Sequence, residues 1–294
     1  MILVVGATGL LGSEICRQLA DKGKPIRALV RATSDPATLK ALEECGAELV
    51  QGDLRQRSSL EPACQGITTV ITTASTTRSR QEGDTLRTVD LEGQINLVDA
   101  AKANDVEHFV YTSYRHLDPH LSCPLSSAKR TVERHLEQSG IPYTILWPGF
   151  FMEVWLSPGL GFDYPNASAR IYGSGQRKNP WIAVRDVARV AVAALEDPAA
   201  QNATVAVGGE LRTPLEVVRI FEEVSGRSFA VEHVSEDTLR TQKAEAPDPL
   251  QETFAALMLG YAVGGLWDEK AKPQTLSVTL TSVREYAQQA FAAS

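Results

Sequence analysis

Gly6, Gly9 and Gly12 stand three residues apart, immediately behind the apolar run Ile2 to Val5 and at the head of the amphipathic run Leu11, Ile15, Leu19. A strand, a glycine turn and a helix in that order form a corner that binds phosphate. Gly6 permits the tight turn, Gly9 lets the backbone approach a pyrophosphate, and Gly12 lets the helix pack close to the strand. The first-turn N–H groups have no partner inside the helix, so they and the helix dipole favour an anion there. The bland alternative is a glycine-rich turn of the kind that opens any α/β protein.

Arg31 is the second chemical signal. The run Ile26 to Val30 reads as a strand, and it ends on Arg31 with no acid before Asp35. A carboxylate at that place would accept bonds from ribose hydroxyls and select NAD, whereas an arginine makes charge-assisted bonds to a 2′-phosphate and points to NADP(H). Otherwise Arg31 is a solvated surface residue. Asp53 follows a third strand, Ala47 to Gln51, and either accepts from an adenine amino group while Leu54 packs on the ring, or caps a helix over Ser58 to Cys64. Lys129 shares one face of the helix Ser126 to Ser139 with Leu125, Val132 and Leu136. An ammonium on an apolar stripe needs a partner such as a ribose hydroxyl, or else snorkels off its edge into water.

These residues need a frame that brings them to one edge. The runs Thr69 to Thr73, His108 to Thr112 and Tyr143 to Trp147 read as further strands, and Pro36 to Cys45 and Thr85 to Asn104 as helices between them. Strands alternating with helices predict an α/β fold: a Rossmann-type, doubly wound parallel sheet with helices on both faces. Residues 1–150 form the dinucleotide-binding domain, with sheet elements returning at about 180–207. Residues 151–294 form a smaller, mixed α/β substrate-binding portion. In it, Trp181 to Val184, Thr204 to Val207 and Phe229 to Val234 read as strands, and Asp186 as the cap of a helix over Val187 to Leu195. Further helices are expected at Pro214 to Ser225, irregularly over Asp237 to Trp267, and at Thr281 to Phe291. Its aromatics (Trp155, Phe162, Tyr164, Trp181, Tyr261 and Trp267) suit a flat aromatic or quinone-like substrate, or are simply core.

Composition narrows the classes. The chain has 294 residues, 43% of them hydrophobic and 22% charged, as in a globular protein. A net charge of -7 argues against nucleic-acid binding. No apolar run reaches transmembrane length, and a first strand at Ile2 leaves no room for a signal peptide. Cys16, Cys45, Cys64 and Cys123 lack metal-ligand spacing and predict reduced thiols and a cytoplasmic setting. His116 and His120 beside Asp118 have a helical metal spacing, but Pro119 interrupts it, so no metal site is expected. No Gly-x-Ser-x-Gly elbow supports a hydrolase.

The segments Gly6-Ala-Thr-Gly-Leu-Leu-Gly12, Arg27-Ala-Leu-Val-Arg31, Gly52-Asp-Leu54, Phe109-Val-Tyr-Thr-Ser113 and Tyr143-Thr-Ile-Leu-Trp-Pro-Gly-Phe-Phe-Met152 resemble the NmrA-like group of atypical short-chain dehydrogenase/reductases. Within that group the chain is similar to the type-2 quinone oxidoreductases and triphenylmethane reductases. The resemblance covers about Met1 to Val192. It implies cofactor contacts at Gly6, Thr8, Gly9, Leu10, Leu11 and Gly12, a 2′-phosphate on Arg31, adenine on Asp53 and Leu54, and the ribose-diphosphate edge at Thr73. Lys129 matches the lysine of the superfamily's Tyr-x-x-x-Lys pair, and Pro148, Phe150 and Phe151 would flank a nicotinamide. Leu125 stands where the tyrosine belongs, so the usual phenolic proton donor is missing. Tyr114 either replaces it or packs at the pocket floor. The expected function is NADP(H)-dependent hydride transfer to an electron-poor acceptor such as a quinone or enone, whose reduced form takes its proton from water. The rival is a non-catalytic NADP(H)-binding redox sensor that regulates a protein partner.

Overall fold

The computed structural model describes residues 1–78, 80–114, 121–264 and 278–292. The short apolar runs become β1 (Ile2–Val5), β2 (Ile26–Val30), β3 (Glu48–Gln51), β4 (Thr69–Thr72), β5 (His108–Thr112) and β6 (Tyr143–Pro148). Between them lie α1 (Leu10–Asp21), α2 (Pro36–Glu44), α3 (Arg57–Cys64), α4 (Gln94–Ala103) and α5 (Pro124–Ser139). Leu3 and Val4 are fully buried, as a strand covered on both faces requires. With β11 (Ala203–Val207), these strands form one sheet in the order β11-β6-β5-β4-β1-β2-β3. β1 pairs in parallel with both β2 and β4, and β2–β3, β4–β5 and β5–β6 are parallel too. The connections therefore reverse direction between β1 and β4, and the carboxyl ends of these strands flank the switch point where such sheets bind ligands.

The later chain supplies β7 (Phe150–Phe151), α6 (Met152–Trp155), β8 (Phe162–Asp163), β9 (Ser168–Tyr172), β10 (Asn179–Ile182), α7 (Val184–Ala193), β12 (Glu210–Arg212), α8 (Pro214–Ser225), β13 (Ala230–Val234), α9 (Glu236–Ala244), α10 (Pro249–Val263) and α11 (Val283–Ala292). Two small sheets form, ordered β12-β10-β7 and β13-β9-β8. The chain divides into two compact units. The first comprises Met1–Ser113, Leu125–Leu146 and Val187–Val205, and the second Tyr114–Pro124, Trp147–Asp186 and Ala206–Ser294. The second has its own aromatic core: Trp155 stacks on Tyr261 at 5.3 Å, and Phe162 meets Phe221 edge-on at 4.8 Å.

Several elements differ from the pattern expected of the sequence. The helix expected over Thr85 to Asn104 begins as a π-helical segment, Leu86–Gly93, before α4 continues it. Asp186 does not cap α7; it lies inside the first turn, and its carboxylate accepts from the Thr281 backbone N–H at 2.6 Å. The irregular helix from Asp237 is two helices, divided where Pro247 and Pro249 cannot continue α9, and Asp248 caps α10 through the Leu250 and Gln251 N–H groups. Trp267, and the pair His116 and His120 with Asp118, lie outside the described residues. The glycine-marked loops after Phe150 contain a strand, β9, whose partner β13 lies some sixty residues later. Among the described residues no helix is long and apolar enough to cross a membrane. The four cysteines are free, and burial pushes the Cys16 thiol up to about 12 and the Cys64 thiol up to about 11.

Candidate functional site

The β1–α1 corner has the geometry its glycines suggest. Gly6 has φ +82°, and a side chain there would meet the Ala74 backbone nitrogen and Thr73 Oγ1, each at 2.8 Å. A Cβ on Gly12 would sit 2.1 Å from the Gly6 carbonyl oxygen, so α1 can start this close to β1 only with glycine. Gly9 is different. Its φ of -86° suits any residue, and the one neighbour a Cβ would meet is the Gly6 oxygen at 3.2 Å. Thr8, Gly9 and Leu10 are exposed, Leu11 is buried behind them, and no side chain caps α1. The corner is an open arch with a helix N-terminus behind it, which is what an incoming diphosphate needs. Thr73 closes its floor: its backbone N–H donates to the Val5 carbonyl at 2.9 Å, and its side chain lies against Gly6.

Lys129 faces inward rather than snorkelling into water. It is buried, its Nζ donates to the Thr112 carbonyl at 2.9 Å, and it lies 4.9 Å from the centre of the Tyr111 ring. Burial lowers its pKa, while Asp90 and Glu133 act in the opposite direction. Asp90 comes from the π-helical segment and accepts from Thr76 through both its backbone N–H (3.0 Å) and its hydroxyl (2.7 Å). Gln94, one turn on, donates to the Ala74 carbonyl and so fixes the same stretch beyond β4. Buried oxygens on Asp90 (Oδ1), Tyr111, Thr112 and Ser113 have no hydrogen-bond partner in the protein. Of these, the Tyr111 and Asp90 side chains are on the Lys129 side, and orphaned oxygens facing an ammonium fit a polyhydroxylated ligand better than a sealed core. Leu125 is buried at the place of the expected tyrosine.

Arg31 is not a free surface residue. Its Nη1 donates at 2.6 Å to Asp84 Oδ2, and the Asp84 side chain is only 2% exposed. Asp53 does not cap α3: its carboxylate accepts from the Arg55 guanidinium and from the Arg55 backbone N–H, and α3 begins after Gln56 with no side-chain cap. The Arg55 hydrogen bonds hold the Asp53 carboxyl below its ordinary range, against an opposing effect of burial. Arg55 Nε also lies 3.4 Å from Asp84 Oδ1. Leu54 is buried with its Cβ beside Gly93. Arg31 after β2 and Asp53 and Arg55 after β3 thus form one network with Asp84, which comes from the turn before the π-helical segment. Asp84, Arg55 and Asp90 were not singled out from the sequence. Asp84 sits in a turn 53 residues from Arg31 with no local pattern to mark it. Asp90 carried a usable signal, an acid between Val89 and Leu91 in an amphipathic run.

The remaining expected residues belong to the second unit. The Tyr114 hydroxyl lies 3.2 Å from Cys123 Sγ. Pro148 and Phe151 are half-buried. Phe150 is core: it packs edge-on against Trp155 at 4.7 Å and Tyr261 at 5.8 Å, and tilted against Trp181 at 5.9 Å. Trp181, Phe162 and Tyr261 are likewise buried among aromatic neighbours and so are core in this unit.

The NmrA-like family model matches residues 1–286. Photosystem II assembly factor Ycf39 of Trieres chinensis is 33% identical over 238 residues, which cover 79% of this chain and 72% of that one. The (4-alkanoyl-5-oxo-2,5-dihydrofuran-3-yl)methyl phosphate reductase of Streptomyces griseus subsp. griseus is 33% identical over 259 residues, 86% of this chain and 84% of that one. Among solved structures, the NADPH complex of an NADPH-dependent quinone oxidoreductase from Escherichia coli superposes with a TM-score of 0.79 at 26% identity, covering 99% of this chain and 100% of that one.

Proposed function

The chain belongs to the NmrA-like family, and from that premise we propose that it is an NADP(H)-dependent oxidoreductase acting on an electron-poor small organic acceptor such as a quinone or an enone. The observation that carries this reading is the buried Lys129 ammonium, set over the Tyr111 ring and within the influence of Asp90, with an oxygen on each of those two side chains left without a partner. The relatives support it in substrate class: one is a quinone oxidoreductase, and the named substrate of another is an oxo-dihydrofuran bearing an alkanoyl group, an electron-poor acceptor.

In this reading the first unit holds the dinucleotide and the second supplies the substrate-binding portion. Gly6, Thr8, Gly9, Leu10, Leu11 and Gly12 receive the diphosphate on the α1 N-terminus, with Thr73 at its ribose edge. Arg31 takes the 2′-phosphate, and Asp53 and Leu54 border the adenine. Lys129 holds the nicotinamide ribose. Bound nicotinamide supplies the hydride. The protein contributes orientation and a dry site. It does not contribute the usual phenol, because Leu125 can neither give nor take a proton. Acceptors that leave as hydroquinone or enolate need none, since water protonates them. Tyr114 is then a packing residue, and Tyr114→Phe should keep turnover within a few-fold of wild type. The free cysteines support a reducing, cytoplasmic setting.

A panel of quinones, enones and imines assayed with NADPH tests the proposal, and turnover above the rate without enzyme is the expected result. A second reading, dinucleotide binding without turnover in service of a protein partner, is favoured by Leu125 and by the assembly-factor relative. Tight NADPH binding with no turnover anywhere in the panel would replace the first reading with the second.

A further inference from the structure

We propose that Asp84 sets the cofactor specificity of this site, by cancelling the charge on Arg31 that would otherwise draw in a 2′-phosphate. The inference rests on the reading of Arg31 as the 2′-phosphate partner. Sequence alone shows an arginine after β2 with no acid near it. The fold supplies the missing acid from the turn before the π-helical segment. Asp84 is fastened there by two hydrogen bonds on one carboxylate oxygen, while the other oxygen is buried without a hydrogen-bond partner and within ion-pair distance of Arg55. Its Oδ2 accepts from the Gln81 backbone N–H at 2.8 Å and from Arg31 Nη1 at 2.6 Å, and its Oδ1 faces Arg55 Nε at 3.4 Å. The turn itself is latched to the ends of β2 and β3, through the Thr33 hydroxyl on Gln81 Oε1 (2.6 Å) and Arg55 Nη1 on the Glu82 carbonyl (2.7 Å).

Charge bookkeeping then decides the effect. Arg31 and Arg55 carry two positive charges, and Asp53 and Asp84 carry two negative ones within the same network. A 2′-phosphate arriving at Arg31 meets a cluster with no net charge, in which Nη1 is already taken. The guanidinium keeps Nε–H and its other N–H groups for the phosphate, so binding remains possible. The carboxylate beside it repels the phosphate and leaves a ligand lacking that group untouched. Asp84 is therefore the residue that narrows the gap between NADPH and NADH, and the gap is smaller than an unpaired Arg31 would give.

The experiment is calorimetry of NADPH and NADH on wild type, Asp84→Asn and Arg31→Ala. Asparagine is isosteric and its amide oxygen can keep the Gln81 N–H and Arg31, while its NH2 group turns toward Arg55 Nε as one donor facing another, so far-UV circular dichroism is recorded beside each titration to check that the chain folds as wild type does. Asp84→Asn should tighten NADPH about tenfold and leave NADH within about twofold. Arg31→Ala should bring NADPH to the NADH level. A ratio in Asp84→Asn equal to or below wild type overturns the proposal, even where both dinucleotides bind. Wild type that binds neither dinucleotide overturns this inference together with the cofactor reading beneath it. A measurement on wild type alone guards against a variant that fails to fold. As salt rises from about 0.05 to about 0.3 M, NADPH affinity should fall no more than about twofold further than NADH affinity, because an uncharged cluster offers little to screen. An excess fall of about fivefold or more would show an uncompensated positive site and would overturn the proposal.

Discussion

Gly6 and Gly12 are held to glycine by the fold, one by its positive φ and the other by a carbonyl 2.1 Å from where a Cβ would stand. Gly9 has neither constraint, so its lack of a side chain serves whatever lies beyond the arch. Gly9→Val should fold with a normal far-UV circular dichroism spectrum and lose NADPH binding, whereas normal affinity would place the dinucleotide elsewhere. Lys129 makes the complementary case. Methionine preserves its length and packing but deletes the donor, so Lys129→Met should weaken NADPH binding and lower any turnover by about 10²-fold, the scale of misplaced reacting groups. The variant loses one buried charge but leaves the buried Asp90 carboxylate without the cation beside it, so the two effects oppose and the net change in stability near neutral pH should be small. Burial holds the Lys129 pKa below the 10.5 of the free side chain. Between the two values the unfolded chain binds more protons than the native one, so wild-type stability relative to Lys129→Met should rise with pH in that window. At this scale the sequence is legible where backbone geometry decides, as with Gly6 and Gly12; helical phase places Lys129 on the apolar stripe but leaves open whether its ammonium turns inward or into water, which packing decides. The sequence is silent on Asp84, because an ion pair between residues far apart leaves no local periodicity.

Elements were legible in proportion to how locally they are specified. β1 and β2 match their expected bounds, since a short apolar run between turn residues has one reading beside a glycine corner. The helix following β4 had the right place and the wrong winding. Its first part is π-helical, and that winding accompanies the inward placement of Asp90, whose carboxylate holds both donors of Thr76. Wide turns of this kind recur at functional sites because they re-aim a side chain. Asp90→Ala would leave the buried Thr76 N–H and hydroxyl without their acceptor, each worth about 1–3 kcal/mol, and would strip Lys129 of a compensating charge. A loss of about 2–4 kcal/mol is expected in urea denaturation, with weaker NADPH binding. A loss below about 1 kcal/mol would mean that the segment beyond β4 is held by other contacts. β9 was missed for the opposite reason. Its flanking glycines read as loop, and only pairing with β8 and the distant β13 makes it a strand.

At the scale of the whole molecule, the alternation of strand and helix made the first unit readable almost throughout, while the second is built from pieces whose partners lie far apart in the chain. The residues proposed to hold the dinucleotide, from Gly6 to Lys129, fall in the first unit. The tryptophans Trp147, Trp155 and Trp181 all fall in the second. Tryptophan fluorescence therefore reads the second unit, whereas far-UV circular dichroism reads both, and a ligand that binds the native first unit but not its unfolded form must raise its unfolding free energy by mass action. NADPH at about one hundred times its Kd contributes about 2.7 kcal/mol, which for a unit of this size corresponds to an increase of about 5–10 °C in the dichroism-detected midpoint. Gly9→Val should show no such rise, and Asp84→Asn should reach the same rise at about one-tenth the NADPH concentration. A wild-type midpoint that NADPH leaves unmoved, in a protein that melts cooperatively, would mean that the arch, Arg31 and Lys129 do not act together on one ligand.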